Sequence, residues 1–368
     1  MERRHLLLSA TVLVVVLLGA CTAAAAAAEK AAAVPSSCDA YRGSWVVDES
    51  YPLYDAASCP FVRTEFDCRL NGRPDTAYLK YRWQPSPPCS LPRFDGRKLL
   101  SAWRGKTAAF VGDSLVANQY ESLLCMLHAA APGARTNASW ASGENSSITV
   151  RFEDYGVTLV YYLSHYLVDL VRDRAGRTVL KLDTVDGEGR KWLDADVLVF
   201  GSWRWWARKS WDYIQDGDTV LQDIDRTQAF AKGLQAWARW VDANLLQTTT
   251  KVFFQGYSPS HLHGQEWGAP PGTTCTAETQ PVSDAAAAYR GQAPNPQDAI
   301  VRRVLAGMSK PVHLLDIAFM SQLRKDGHTT KYSGGSGPGA DCTHWCVAGV
   351  PDSWNTLFYY SVLTAGNS

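Results

Sequence analysis

Thr107-Ala-Ala-Phe-Val-Gly112-Asp113-Ser114-Leu115 is the stretch on which the fold turns. Thr107 to Val111 (TAAFV) is a short apolar run of strand character, and Leu115, Tyr120, Leu123, Leu124 and Leu127 then recur on one helical face. A strand feeding directly into a helix puts Ser114 at the helix N-terminus. Unpaired backbone N–H groups and the positive end of the helix dipole stabilise developing negative charge there, and Gly112 lets the chain turn tightly. Gly-Asp-Ser is also a common turn and helix-cap sequence, so the serine needs a base elsewhere in the chain before any chemistry follows.

Four more short apolar runs have the same texture: Val157 to Leu163 (VTLVYYL), Val197 to Phe200 (VLVF), Val252 to Gln255 (VFFQ) and Val312 to Ile317 (VHLLDI). They read as buried strands. Amphipathic helices separate them. The clearest is Thr227 to Leu246, where Phe230, Leu234, Trp237, Val241 and Leu245 recur at three- and four-residue steps and form a core-facing stripe. Strands alternating with helices predict a parallel, doubly wound α/β sheet, which binds ligands at the carboxyl ends of its strands.

The composition agrees. The 368 residues are 46% hydrophobic, and 36 basic side chains balance 36 acidic ones, which leaves no basic excess for a nucleic-acid partner. Fourteen Trp and sixteen Tyr supply amphipathic rings that suit sugars as well as a core. Arg3 and Arg4 precede Leu6 to Ala28, an uncharged stretch that serves either as a cleaved export signal or as a single N-terminal membrane anchor with the body of the chain in the lumen. Cys38, Cys59, Cys68, Cys89, Cys125, Cys275, Cys342 and Cys346 then lie in an oxidising compartment, where up to four disulfides follow in a pairing that spacing alone does not choose. Asn137-Ala-Ser139 and Asn145-Ser-Ser147 are glycosylation sequons in a polar stretch expected to be a surface loop. The predicted organisation is a signal-anchor and stem over 1–37, a cysteine-rich lobe without an independent core over 38–93, and the α/β domain over 94–368.

The candidate base lies in Asp341-Cys342-Thr343-His344-Trp345-Cys346. A serine hydroxyl is a poor nucleophile near neutral pH; a histidine must take its proton, and an aspartate must orient that histidine. The candidate catalytic residues are therefore Ser114, Asp341 and His344, with Gly112 and Asp113 forming the nucleophile turn. Cys342, His344 and Cys346 also resemble metal ligands, as do His261 and His263, but an oxidising lumen favours disulfides and a fourth ligand is lacking, so no metal is expected.

In combination the chain resembles the trichome birefringence-like family of plant polysaccharide O-acetyltransferases, related to the SGNH/GDSL esterases. The islands that carry the resemblance include Gly43-Ser-Trp45, Tyr51-Pro52-Leu53-Tyr54, Cys59-Pro60-Phe61, Asn71-Gly72-Arg73-Pro74-Asp75, Gly112-Asp113-Ser114, Trp205-Trp206, Glu266-Trp267, Asp341-Cys-Thr-His344-Trp345-Cys346 and Pro351-Asp352-Ser-Trp354-Asn355. The resemblance implies a three-layer α/β/α SGNH-hydrolase-like sheet with a smaller disulfide-rich N-terminal lobe; Cys68–Cys346 is the candidate for a bridge that would join the two. It implies that Ser114 accepts an acetyl group and passes it to a wall-polysaccharide hydroxyl, xylan first among them. The donor is acetyl-CoA or another acetyl carrier, with no resident cofactor. It also implies a single-pass type II Golgi enzyme with a lumenal catalytic domain; secretion to the wall is the alternative. A pectin or xylan acetylesterase and a catalytically weak wall-binding protein are the competing functions.

Two departures from the family pattern lie near the expected cleft. Relatives usually carry Phe-Asn-Thr or Phe-Asn-Ser and then His-Trp-Trp, whereas this chain has Phe200-Gly201-Ser202-Trp203-Arg204-Trp205-Trp206. Loss of an oxyanion-hole donor at Gly201 would cost about 100- to 1000-fold in turnover. Arg204, Trp205 and Trp206 are the candidate substrate contacts, Arg204 bringing a charge where relatives have histidine. The Arg-Lys-Asp-Gly-His328-Thr-Thr segment likewise lacks the Pro-Ser that usually follows its histidine.

Overall fold

A computed structural model of the chain describes residues 38–141, 146–283, 295–334 and 339–364. In chain order its strands are β1 (Gly43–Val47), β2 (Tyr81–Pro85), β3 (Thr107–Gly112), β4 (Thr136–Ala141), β5 (Ser147–Phe152), β6 (Val157–Leu163), β7 (Leu170–Arg172), β8 (Thr178–Lys181), β9 (Val197–Gly201), β10 (Tyr213–Asp216), β11 (Thr219–Leu221), β12 (Lys251–Gln255), β13 (Val312–Leu315), β14 (His328–Thr330) and β15 (Asp341–Trp345). The principal helices are α1 (Gly96–Ala102), α2 (Ser114–Ala130), α3 (Arg226–Leu245), α4 (Pro296–Ala306), α5 (Ala318–Gln322) and α6 (Val350–Thr364).

The central sheet has the order β13-β12-β9-β3-β6-β5-β4. All five strands expected from the apolar runs are present and parallel to their neighbours, in the order β13-β12-β9-β3-β6. Three of them are one residue longer than the runs, and β13 is shorter: Asp316 and Ile317 leave the strand, and Ile317 caps α5. The sheet is not parallel throughout. β4 and β5 continue it as an antiparallel edge, because the four residues joining β5 to β6 turn at Gly156, with φ of 65°, and are too few for a crossover. The first sequon therefore lies on an edge strand instead of a loop, with Asn137 exposed; Asn145 falls outside the described residues.

Alternate residues of each central strand feed two cores, which makes the assembly three-layered. Ala108 and Phe110 of β3, Val199 of β9 and Phe253 of β12 pack with α1, α2 and α6. Ala109, Val111, Leu198, Phe200, Val252 and Phe254 pack on the opposite face with α3 and α4. Phe230, Leu234, Trp237, Val241 and Leu245 of α3 are all nearly inaccessible, so the helical stripe faces the core. Fully burying each such side chain contributes on the order of 2 kcal/mol. Asp225 caps α3 by accepting the Gln228 N–H. A second sheet, β11-β10-β8-β7, lies beside this face and buries Leu180 and Ile214.

The cysteine-rich segment has little core of its own. Ala40, Tyr54, Phe66 and Trp83 join the same cluster as α2 and α6. The Trp45 indole donates to the Met320 carbonyl, and the Tyr54 hydroxyl donates to Asp352 of α6. Covalent ties follow: Cys59 is bonded to Cys125 of α2, Cys68 to Cys346 and Cys275 to Cys342, and Cys38 and Cys89 are disulfide-bonded as well. The candidate Cys68–Cys346 bridge is thus present. Leu6 to Ala28 lies outside the described residues, among which no helix is long and apolar enough to cross a membrane.

Candidate active site

The site begins with a close approach between two backbones. Gly112 ends β3 directly opposite Gly201 of β9, and a Cβ on Gly112 would stand 2.0 Å from the Gly201 carbonyl oxygen, so only glycine fits. Asp113 follows as the N-cap of α2, its Oδ1 accepting the Leu115 N–H at 3.0 Å. Its Oδ2 accepts the N–H groups of Trp203 and Arg204 at 3.1 and 3.2 Å, tying the segment after β9 to the turn. The capping aspartate thereby fixes both the helix start and the cleft wall, and Ser114 opens α2 beside it.

The second half of the site comes from a segment 230 residues later. β15 pairs antiparallel with β14 and carries Asp341 and His344 to the helix start. His344 Nε2 stands 2.6 Å from Ser114 Oγ, and Nδ1 stands 2.6 Å from Asp341 Oδ2. Asp341 Oδ1 accepts the backbone N–H groups of Thr343 and His344 at 2.8 and 3.0 Å. Burial works to raise the Asp341 carboxyl, but the hydrogen bond and charge of His344 and those two N–H groups outweigh it and hold Asp341 well below the usual carboxylate range. The structure thus brings together the serine, imidazole and carboxylate that the sequence offered as separate islands.

What holds β15 in register was not legible in the sequence. Asn118, one turn after Ser114 and fully buried, donates to the Trp345 carbonyl at 3.1 Å and accepts the Trp345 N–H at 3.2 Å. This reciprocal pair fixes the residue next to His344 against the helix that carries Ser114. Phe66 packs its ring 5.5 Å from the His344 ring, and its carbonyl accepts the Val347 N–H. His328 Nδ1 donates to the His344 carbonyl at 3.0 Å. We expect Asn118→Ala to cost about 1–3 kcal/mol in stability, by stranding a buried carbonyl and N–H, and to lower turnover more than it raises KM. Thermal denaturation and steady-state kinetics on the purified variant test this.

The metal temptations resolve differently. Cys342 and Cys346 are both in disulfides, and His261 is buried with Nδ1 2.7 Å from His328 Nε2. Among the described residues no cluster of histidine, cysteine and acidic side chains could hold a metal.

Gly201 bears directly on the expected loss of an oxyanion donor. A Cβ there would stand 2.7 Å from the Val116 side chain and 3.0 Å from Gln255 Oε1, so its side-chain direction points into packed structure. Gln255 occupies that space and donates to the Leu115 carbonyl.

The tryptophans divide. Trp206 is only 1% exposed and its indole donates to Ser202 Oγ, so Trp206 is a packing residue, a correction to its expected place among the substrate contacts; Trp211 is buried too. Trp205 is partly exposed and stacks on His165 with ring centroids 3.8 Å apart. Trp203 and Tyr257 line a cleft of about 870 Å³ with Arg42, Gln297, Arg302 and Phe319; Ser114, Asp341 and His344 are not among its lining residues. Arg204 is half-buried, donating from Nη1 to Ser260 Oγ at 3.1 Å and from Nη2 to Thr343 Oγ1 at 2.8 Å.

Comparison with known proteins gives a consistent result. Residues 91–361 match the GDSL/SGNH-like acyl-esterase family found in Pmr5 and Cas1p (PC-esterase), and residues 36–90 match the Pmr5 N-terminal domain. The chain is 48% identical to protein trichome birefringence-like 38 of Arabidopsis thaliana over 88% of its own length and 83% of the relative's. It is 47% identical to protein trichome birefringence-like 39 of the same plant, over 89% and 88% of the two chains. With protein trichome birefringence-like 42 the identity is 44% over 89% and 90%.

Proposed function

This chain belongs to the trichome birefringence-like family of PC-esterase proteins, and from that premise we propose that it is an O-acetyltransferase of a wall polysaccharide, with xylan as the first acceptor to test. Family and domain support an acyl-esterase or acyltransferase role on the wall. The observation that carries the finer reading is the unbroken chain from Ser114 Oγ through His344 to Asp341, with 2.6 Å at each link.

In this mechanism Ser114 Oγ attacks the acetyl carbonyl of the donor while His344 Nε2 takes its proton. The anionic Asp341 holds the Nδ1–H and stabilises the imidazolium. Backbone groups of the Gly112–Ser114 turn, at the positive end of α2, face the tetrahedral oxyanion. Its collapse expels the donor's leaving group, which takes the proton from His344, and leaves acetyl-Ser114. A sugar hydroxyl then attacks that ester, passing its proton to His344; the ester bond to Ser114 breaks, and Ser114 Oγ recovers the proton. The acetyl donor, acetyl-CoA or another carrier, enters as a substrate.

Acetyl-ester hydrolysis is the second reading, and one observation favours it. The side chains of His344 and Asp341 remain 26% and 27% exposed, which leaves water a path to the intermediate. Incubating acetylated and deacetylated xylan, mannan, xyloglucan and pectin oligomers with the enzyme and following acetyl groups by NMR separates the two. Transfer to a deacetylated acceptor supports the proposal, and release of free acetate alone replaces it with esterase activity. Covalent labelling of Ser114 by an active-site serine probe is expected in either case; no labelling would leave a wall-binding protein.

Disulfide bonding of all eight cysteines among the described residues supports placement in an oxidising compartment. We assign the chain to the Golgi lumen, held by Leu6 to Ala28 as a type II anchor; sedimentation of the full-length protein with membranes, lost on removing residues 1–37, tests that.

A further inference from the structure

Arg204 is a half-buried cation beside the candidate nucleophile that lacks a carboxylate partner among the described residues. Its backbone N–H is bonded to Asp113, the neighbour of Ser114, and its guanidinium to Thr343, the neighbour of His344. Its two side-chain hydrogen bonds go to hydroxyls, and among the described residues no carboxylate lies within ion-pair distance. A guanidinium has five N–H donors, so three are left over.

The acids around it are already occupied. Asp113 uses Oδ1 on the Leu115 N–H and Oδ2 on two backbone N–H groups. Asp341 uses Oδ2 on His344 and Oδ1 on two backbone N–H groups. The remaining neighbours make the deficit worse. Arg208 adds a second positive charge, lying 5.8 Å from the centroid of the Trp205 ring, and exposed Lys209 follows it. Burial acts most to lower the Arg204 pKa and the Arg208 charge adds to it, while Tyr257, Asp113 and Asp341 act the other way. In a chain with equal numbers of acidic and basic side chains, an uncompensated guanidinium at the reaction centre costs stability unless an anion arrives to meet it.

We infer that Arg204 is a specificity residue that binds a uronate carboxylate on the acceptor polymer, so that the sugar chain at Ser114 is an acidic one, galacturonan or glucuronosyl-bearing xylan. The inference rests on the acyl-transfer reading for its location and names the substrate class of that site. An arginine fork matches a planar carboxylate with two parallel hydrogen bonds. The partly exposed Trp205–His165 stack nearby offers a flat apolar surface for a sugar ring. A phosphate of an acetyl donor shares the anionic chemistry, and the test separates the two sources.

Binding is measured by calorimetry on the full-length protein, independently of turnover. The probes are free-acid and fully methyl-esterified oligogalacturonate, xylo-oligomers with and without glucuronosyl groups, and coenzyme A. At least one free-acid oligomer is expected to bind about 10- to 100-fold more tightly than its neutral counterpart, the worth of a charged hydrogen-bonded pair. The preference is expected to weaken with added salt. Arg204→Gln is expected to remove that preference, bringing the free-acid and neutral oligomers to equal affinity, with Arg204→Lys retaining only part of it. Equal binding of acidic and neutral oligomers by the wild-type protein overturns the inference without any variant having to fold. So does an Arg204-dependent affinity confined to coenzyme A, which would give the cation to the donor. Serine-probe labelling of Ser114 on the same samples keeps these outcomes distinct from failure of the acyl-transfer reading.

Discussion

Ser114→Ala and His344→Ala are each expected to lower acetyl turnover by at least about 10⁴-fold and to abolish covalent labelling by a serine-directed probe, with the fold intact. The reasoning is geometric first. One 2.6 Å contact joins Ser114 Oγ to its base, His344, so removing either end removes the nucleophile or leaves it protonated. The two losses are expected to be similar in size, and the double variant little worse than either single one, because groups acting as a unit do not contribute additively. Neither side chain is buried: Ser114 and His344 are partly exposed, His344 meets the Phe66 ring on one side, and their backbones keep their hydrogen bonds. Melting temperatures are therefore expected to stay near wild type. A Ser114→Ala variant with undiminished turnover would end the assignment, and a variant that had merely unfolded would be recognised by its melt.

Removing the Cys68–Cys346 bridge, by Cys68→Ala with Cys346→Ala, is expected to cost about 3–5 kcal/mol of stability. The cross-link spans 278 residues, so its loss restores a large amount of disorder to the unfolded chain. It also closes the loop that begins with Asp341 and His344 against the segment carrying Phe66, whose ring lies beside the imidazole. Activity measured well below the melting temperature is accordingly expected to fall as well, because His344 loses one wall. Cys38 and Cys89 serve as the comparison: removing those two is expected to lower stability with a smaller effect on turnover, since neither adjoins the candidate triad in sequence. If both double variants reduced turnover equally at matched fractions folded, the bridge would have no special role in placing His344.

Local chemistry is what a linear sequence displays, and the site shows where that ends. Gly112, Asp113 and Ser114 were legible as a strand-to-helix turn because hydrophobic periodicity changes there within a few residues. Asp341 and His344 were legible as partners because they are three residues apart. Asn118 was not, since nothing in Ser114-Leu-Val-Ala-Asn118 distinguishes a buried amide reaching the backbone of Trp345 from an ordinary helix residue. The antiparallel edge of the sheet was missed for a related reason: the polar alternation of Thr136 to Ala141 has one solvent-facing side and resembles a loop. Residue type and the family segment both point Trp206 toward the cleft, and only its 1% exposure separates a packing indole from a ligand surface.

Taken residue by residue, the sequence determined the five parallel strands, the α3 stripe, the disulfide-forming cysteines and the three chemical groups, because each follows from periodicity, composition or spacing within a short window. Tertiary structure alone decided that Ser114 meets His344, that Arg204 lies between the neighbours of both with no carboxylate of the described residues within ion-pair distance, and that Gly201 faces Gln255. Those outcomes depend on segments far apart in the chain competing for the same few ångströms, and no local pattern encodes the winner of such a competition.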